Sequence, residues 1–172
     1  MPLGVRTAAP DDIDAVADIL AEVSAWLRTK GIRQWPARFP ADFFDGYVRR
    51  GELYVATIGN EIVGTVTLQW RDPPFWGERQ DAGFVHRLAV RRTHAGCGRT
   101  LLDWAEQQAV QQGRSFLCLD TLSSNTRLRR YYEELGFRAV GEISGPADHP
   151  TDPALGRWRA VLYEKAIGES MV

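Results

Sequence analysis

Long apolar runs are missing from this chain. No stretch approaches the roughly 20 residues of a spanning helix, and Asp11 and Asp12 arrive before any apolar run of signal-peptide length. Neither a membrane protein nor a secretory leader is expected. Cysteine is scarce as well: Cys97 and Cys118 are too few for a disulfide framework and lack the paired Cys/His spacing of a zinc site. The default is a reducing, cytoplasmic compartment. An excess of either charge is also absent, with 21 Lys+Arg against 22 Asp+Glu and a net charge of −1. No overall basic field is available to gather nucleic acid or anionic lipid, so any basic site must be local. Lysine is nearly absent, and the resulting arginine bias reflects base composition as readily as selection for anion contacts.

What is present is the composition of one ordinary globular domain, read here as residues 1–172: 44% hydrophobic and 25% charged over 172 residues. Val5 and Arg6 begin a short strand. Pro10, Asp11 and Asp12 then mark a helix start. Ile13, Val16, Ile19, Leu20, Val23, Trp26 and Leu27 recur at spacings of three and four, the face of a helix that ends near Gly31. The segment 31–47, with Trp35, Phe39, Phe43 and Phe44, is unusually aromatic and reads as a second helix or a pocket-lining loop. Residues 52–58 and 61–68 are two β-rich runs around Gly59-Asn60, a hairpin signal. Residues 71–81, carrying Pro73, Pro74 and Gly77, should be a loop. Expected next are a buried strand over 84–90, a helix ending at Gly113, a strand over 115–119, and a helix capped by Asn125 and stopped at Gly136. Strands over 137–143 and 158–165 close the chain.

The uneven part of the charge distribution is residues 84–102, which hold no Asp or Glu but contain Arg87, Arg91, Arg92, Arg99, His86 and His94. Within it, Ala95-Gly96-Cys97-Gly98-Arg99-Thr100 joins a strand to a helix. Glycines there let backbone N–H groups turn toward an anion at the helix N-terminus. The plainer alternative is that Gly96 and Gly98 only shape a turn. A P-loop is excluded because Gly-Lys-Ser/Thr is missing, and the dinucleotide fingerprint is excluded because Leu101 stands where its third glycine belongs.

Leu88-Ala89-Val90, then Ala95 to Leu102, then Asn125 with Tyr131-Tyr132 and Gly136-Phe137 form a joint pattern that resembles the GNAT superfamily of acetyl-CoA-dependent N-acetyltransferases. In that family one motif reads Arg or Gln, two residues, Gly, one residue, Gly or Ala. The other reads Asn, Tyr seven residues on, then Gly-Phe. Asn125, Tyr132 and Gly136-Phe137 match the second motif in full. In the first, Gly98 matches, while Ala95 stands at the Arg/Gln position and Thr100 at the final small-residue position.

The resemblance implies an α/β fold of the α+β type. Its mixed, mostly antiparallel sheet of six to seven strands would be flanked by about four helices, and two central parallel strands would splay apart to admit the cofactor arm. It implies that backbone groups of Leu88, Ala89 and Val90 bind the pantetheine amides of acetyl-CoA. Ala95, Gly96, Cys97, Gly98, Arg99 and Thr100 would hold the pyrophosphate, and Asn125 and Tyr132 would also touch the cofactor. Asn125 is equally a plain helix cap.

Acyl transfer to an amine needs a base for the amine and a donor for the departing thiolate. Tyr132 is the expected donor, with core packing beside Tyr131 as its alternative. His86 is the first candidate base, since imidazole titrates near working pH and one branch of the family, the arylalkylamine N-acetyltransferases, places a catalytic histidine there. The alternatives are a core histidine at 86, with a water chain or Glu52 as base. Phe84 occupies a position where other members carry a catalytic acid or histidine. Cys97 lacks a nucleophile's partners, and three scattered histidines argue against a metal.

The resemblance places the acceptor pocket in the segment after the first helix and in loops near the closing strands, which here hold Trp35, Phe39, Phe43, Phe44, Phe75, Trp76, Asp148 and His149. Rings beside acids suit a small-molecule or peptide amine, although rings also simply fill cores. The reading is therefore an N-acetyltransferase acting on a primary amine, without metal, nucleic acid or membrane, and compatible with a homodimer. The alternative is a non-catalytic acyl-CoA-binding sensor or interaction module with the same fold.

Overall fold

The computed structural model describes residues 2–145 and 157–168. Seven strands, β1 (Leu3–Thr7), β2 (Leu53–Ile58), β3 (Glu61–Gln69), β4 (Ala82–Val90), β5 (Phe116–Leu122), β6 (Arg138–Gly145) and β7 (Trp158–Ala166), hydrogen-bond in the order β1-β2-β3-β4-β5-β7-β6. Among the described residues five α-helices accompany them: α1 (Ile13–Arg28), α2 (Asp45–Arg49), α3 (Pro73–Trp76), α4 (Cys97–Gln111) and α5 (Thr126–Glu134). The mixed sheet has one parallel pair, β4 with β5, as the resemblance implied.

Two compact units make up the chain, Met1–Leu68 with His86–Trp104, and Gln69–Val85 with Ala105–Val172. In the first unit Val16, Ile19 and Leu20 of the α1 stripe are buried with Phe39, Phe44, Leu53, Val55 and Ala89, while Val23 and Trp26 at its edge are half-buried. Removing that much apolar surface from water is the main favourable term available to the unit. The β2–β3 hairpin forms as expected, with Ile58 opposite Glu61 and Gly59 at φ +61°. Only a residue without Cβ takes that turn conformation cheaply. The aromatic segment after α1 resolves into a 3₁₀ turn over Ala41–Phe44 that runs into α2.

In the second unit the expected loop over 71–81 contains α3, a correction: Pro73 and Pro74 begin the helix rather than break it, because the missing N–H costs nothing at a first turn. Gly77 at φ +61° ends it. The β4–β5 register is Ala82↔Phe116, Gly83↔Leu117 and Phe84↔Cys118; β4 then runs on to Val90 and β5 to Leu122. β5 pairs antiparallel with β7 along its whole length, from Phe116↔Ala166 to Leu122↔Ala160.

Candidate active site

In the first unit, β4 enters as His86 and leads straight into the glycine turn. Arg87 has φ +49°, the one non-glycine positive φ among the described residues. That is a conformation an L-residue resists. The guanidinium of Arg87 lies 5.0 Å from the Phe43 ring centroid and 4.9 Å from that of Tyr47. Its neighbour His86 is half-buried, intermediate between a core histidine and a free one.

Past Val90 a 3₁₀ turn over Arg92–His94 delivers the chain to α4, whose first residue is Cys97. Cys97, Gly98, Arg99 and Thr100 therefore occupy the first turn, where helix geometry leaves N–H groups without intrahelical acceptors; that of Gly98 donates to the Ala95 carbonyl at 3.4 Å. No acidic residue lies in that turn. A Cβ added at Gly96 would meet nothing within 4 Å, and one at Gly98 would sit 3.9 Å from Leu88 Cδ2 and Val90 Cγ2. The two predicted segments, Leu88 to Val90 and Ala95 to Thr100, thus adjoin. Neither glycine is required by the packing of the protein on itself. A helix start with open glycines and no carboxylate suits a phosphate-bearing ligand.

The four arginines of the acid-free segment do not converge on that turn. Arg87 rests on the aromatic rings, Arg91 donates through Nε to the Ile62 carbonyl at 3.1 Å, and Arg92 stacks on Trp26 with 3.6 Å to the ring centroid. Arg99 pairs with Asp103 at 3.3 Å, an exposed i,i+4 pair. Backbone dipoles rather than a guanidinium cluster supply the positive field. Elsewhere Glu22 accepts the Arg92 N–H at 2.8 Å, and Glu52 is engaged by Arg50 Nε at 2.8 Å.

The second unit carries the remaining predicted residues. Asn125, 3% exposed, caps α5: its Oδ1 accepts from the Leu128 N–H at 3.2 Å. Seven residues make nearly two turns, so Tyr132 lies on the same side of α5 about 10 Å along it. Tyr132 is buried, edge-on to Phe137 at 5.6 Å, whereas Tyr131 is 39% exposed. Burial, with Tyr131 and Asp120 adding to it, raises the Tyr132 phenol above its ordinary range, so it stays protonated at neutral pH. Phe84 is fully buried against Trp76 with Ala82 and Cys118, a core residue. Burial pushes the Cys118 thiol up to about 12. Among the aromatics, Phe39 and Phe44 fill the core, and Phe75 stacks on Trp158 at 5.9 Å. Asp148 and His149 lie outside the described residues.

Two features escaped the sequence reading. The placement of Arg87 depends on a positive φ that no propensity signals. The second is an anchoring of α5 to β7: Tyr163 on β7 accepts from Arg129 and donates to Glu133. Arg129 and Glu133 at i,i+4 were its available clue.

Comparison with known proteins places the chain in a family and a fold. The family model of the acetyltransferase (GNAT) family matches residues 20–137. An uncharacterized Escherichia coli protein in the sul1 3′ region is 40% identical over 73 residues, which are 42% of this chain and 94% of that protein. The fold is shared with an acetyltransferase of Listeria monocytogenes at a TM-score of 0.72 and 22% identity, covering 96% of this chain and 95% of that one. It is shared with the Escherichia coli ribosomal-protein-S18-alanine N-acetyltransferase at 0.68 and 19%, covering 98% and 96%. A third likeness, 0.68 and 16% over 100% and 98%, is to yncA of Salmonella typhimurium, solved with its cofactor acetyl-CoA. Among the described residues no helix is long and apolar enough to cross a membrane. With the family model matching residues 20–137 and so spanning both motifs, this chain belongs to the GNAT family of acetyltransferases.

Proposed function

We propose that the chain, acting as one domain, transfers an acetyl group from acetyl-CoA to a primary amine by direct attack on the thioester. When bound, acetyl-CoA supplies an electrophilic carbonyl joined to a leaving thiolate. The amine nitrogen forms the new C–N bond, the C–S bond breaks, one proton leaves the nitrogen and one reaches the sulfur. The open, acid-free first turn of α4 fits its pyrophosphate through the N–H groups of Ala95 to Thr100. Leu88, Ala89 and Val90, adjoining that turn, offer strand backbone to the pantetheine amides.

The observation that carries the reading is Tyr132: buried, protonated, and on the same side of α5 as the capping Asn125. Its proton is shared with the sulfur as negative charge develops there. The same burial opposes a bare tyrosinate, which keeps the phenol a donor at each turnover. His86, half-buried on β4 beside the positive φ at Arg87, takes the amine proton directly or through a water. The ribosomal-protein acetyltransferase that shares this fold supports a peptide amine as one acceptor class; a small amine is the other.

Phe84, apolar and fully buried at the position of a family acid, favours one competing reading, an acyl-CoA sensor without turnover. The test is release of free CoA from acetyl-CoA across a panel of small amines and peptide N-termini. Amine-dependent release supports the enzyme. Tight acetyl-CoA binding with no release over any amine supports the sensor.

A further inference from the structure

Helix α5 has only nine residues, and Tyr132 is its one buried residue. Adjacent helical residues point about 100° apart, so the rotation of this short helix about its axis decides whether Tyr132 or Tyr131 faces inward. Something must fix the rotation. Tyr163 of β7 does so physically. Its ring is fully buried, its hydroxyl accepts from Arg129 Nε at 3.1 Å, and it donates to Glu133 Oε1 at 2.9 Å. Arg129 also donates through Nη1 to the Ser123 carbonyl at 3.3 Å. The two α5 partners are one turn apart and flank Tyr132 in sequence. The Tyr163 ring lies 6.5 Å from that of Tyr132. Strand β7 is held on both sides, with Tyr163 opposite Leu119 of β5 and Ala139 of β6, so the hydroxyl is a rigid anchor for the helix.

We propose that Tyr163, through its paired hydrogen bonds to Arg129 and Glu133, is a positioning residue that sets the rotation of α5 and thereby selects Tyr132 over Tyr131 as the inward phenol. The catalytic half of this inference rests on the donor role given to Tyr132 above; the structural half does not. Both hydrogen bonds are charge-assisted, the stronger class, and Tyr163→Phe removes them while keeping the ring that packs.

The experiment combines kinetics with tetranitromethane modification mapped by mass spectrometry on the full chain. Wild type should be nitrated at Tyr131 and protected at Tyr132. In Tyr163→Phe, nitration of Tyr132 should appear, and kcat should fall about 10- to 100-fold, the scale of a small misplacement of a reacting group. KM for acetyl-CoA should stay within about twofold. Because the loss acts through Tyr132, the double variant Tyr132→Phe/Tyr163→Phe should be no slower than Tyr132→Phe alone. Exposed Glu133 supplies a second route that does not threaten folding, and Glu133→Gln, which keeps an acceptor oxygen, should retain more kcat than Glu133→Ala. Additive losses in the double variant, or an unchanged nitration pattern in both Tyr163→Phe and Glu133→Ala, overturn the proposal. If Tyr132→Phe alone keeps the wild-type kcat, the donor role fails, and the nitration pattern by itself decides the positioning role.

Discussion

Oδ1 of Asn125 accepts the backbone N–H of Leu128 at 3.2 Å, so the asparagine proposed to touch the cofactor is already the cap of α5. A cap of this kind contributes about 1 kcal/mol. The two roles separate by substitution. Asn125→Asp keeps a capping oxygen and should match the wild-type melting temperature, yet it replaces an amide donor with a charge and should weaken CoA binding. Asn125→Ala should lose about 1 kcal/mol of stability as well. Thermal melts with calorimetry decide it: unchanged CoA affinity in a stable Asn125→Asp leaves the residue a cap and nothing more.

Gly98 offers a sharper split between stability and ligand. It sits in the first turn of α4 with room for a Cβ at ordinary contact distance from Leu88 and Val90. Gly98→Ala should therefore leave stability unchanged or raise it by up to about 1 kcal/mol, the helix penalty of glycine. If phosphate approaches this backbone, the same methyl group should weaken CoA binding, and Gly98→Asp should weaken it further by adding negative charge. Calorimetry showing wild-type CoA affinity in both folded variants would remove the cradle assignment.

The parts of this fold that were legible in the sequence are those where local chemistry and tertiary context agree. The stripe from Ile13 to Leu27, the Gly59-Asn60 turn and the Asn125 cap each state a period or a φ requirement that the structure keeps. Pro73-Pro74 misled because proline signals both a break and a helix start, and only the residues that follow decide between them. The arginines of residues 84–102 read as one basic field, since charge counts carry no direction. In space they disperse to Phe43 and Tyr47, to Ile62, to Trp26 and to Asp103. The positive φ of Arg87 was invisible because arginine carries no local preference for that conformation.

The two adjacent tyrosines make opposite predictions. Tyr132→Phe should lower kcat by about 10²- to 10⁴-fold, as for loss of a general acid, while changing KM for acetyl-CoA little, because the ring still packs against Phe137. Tyr131→Phe, exposed, should be near wild type. Steady-state kinetics on the two variants, with a reversed pattern, would move the donor one residue back.

Acid should destabilise the start of α1 through Asp12. Its carboxylate accepts from Arg6 at 2.7 Å and from the Ala9 N–H at 2.7 Å, and these bonds, the Arg6 one foremost, hold it below the usual carboxylate range. A depressed folded value means the contribution is fully present above the unfolded value of about 3.9 and is lost as pH falls through the folded one. The size is on the order of 1 kcal/mol, held down because Arg6 is half exposed. Urea melts between pH 6 and 2 should show this loss in wild type and a shallower one in Asp12→Asn; parallel slopes would deny Asp12 the role.

A test of the base must separate enzyme from substrate. His86 is half-buried on β4, two residues before the Leu88 segment, and beside the positive φ at Arg87. If it accepts the amine proton, kcat/KM should rise with pH along a limb that belongs to the free enzyme's imidazole. The acceptor titrates too, and only its neutral form attacks, so a single amine would give a limb of mixed origin. Two amines differing by about two units in pKa resolve this: a limb that shifts with the amine is the substrate's, and one that stays is the enzyme's. In His86→Ala the stationary limb should vanish and kcat/KM at its plateau should fall by about 10²-fold or more. His86→Gln, closer in size to the imidazole, controls for packing and should lose the limb equally. A stationary limb that survives in both variants would assign the proton to another group and leave His86 a packed strand residue.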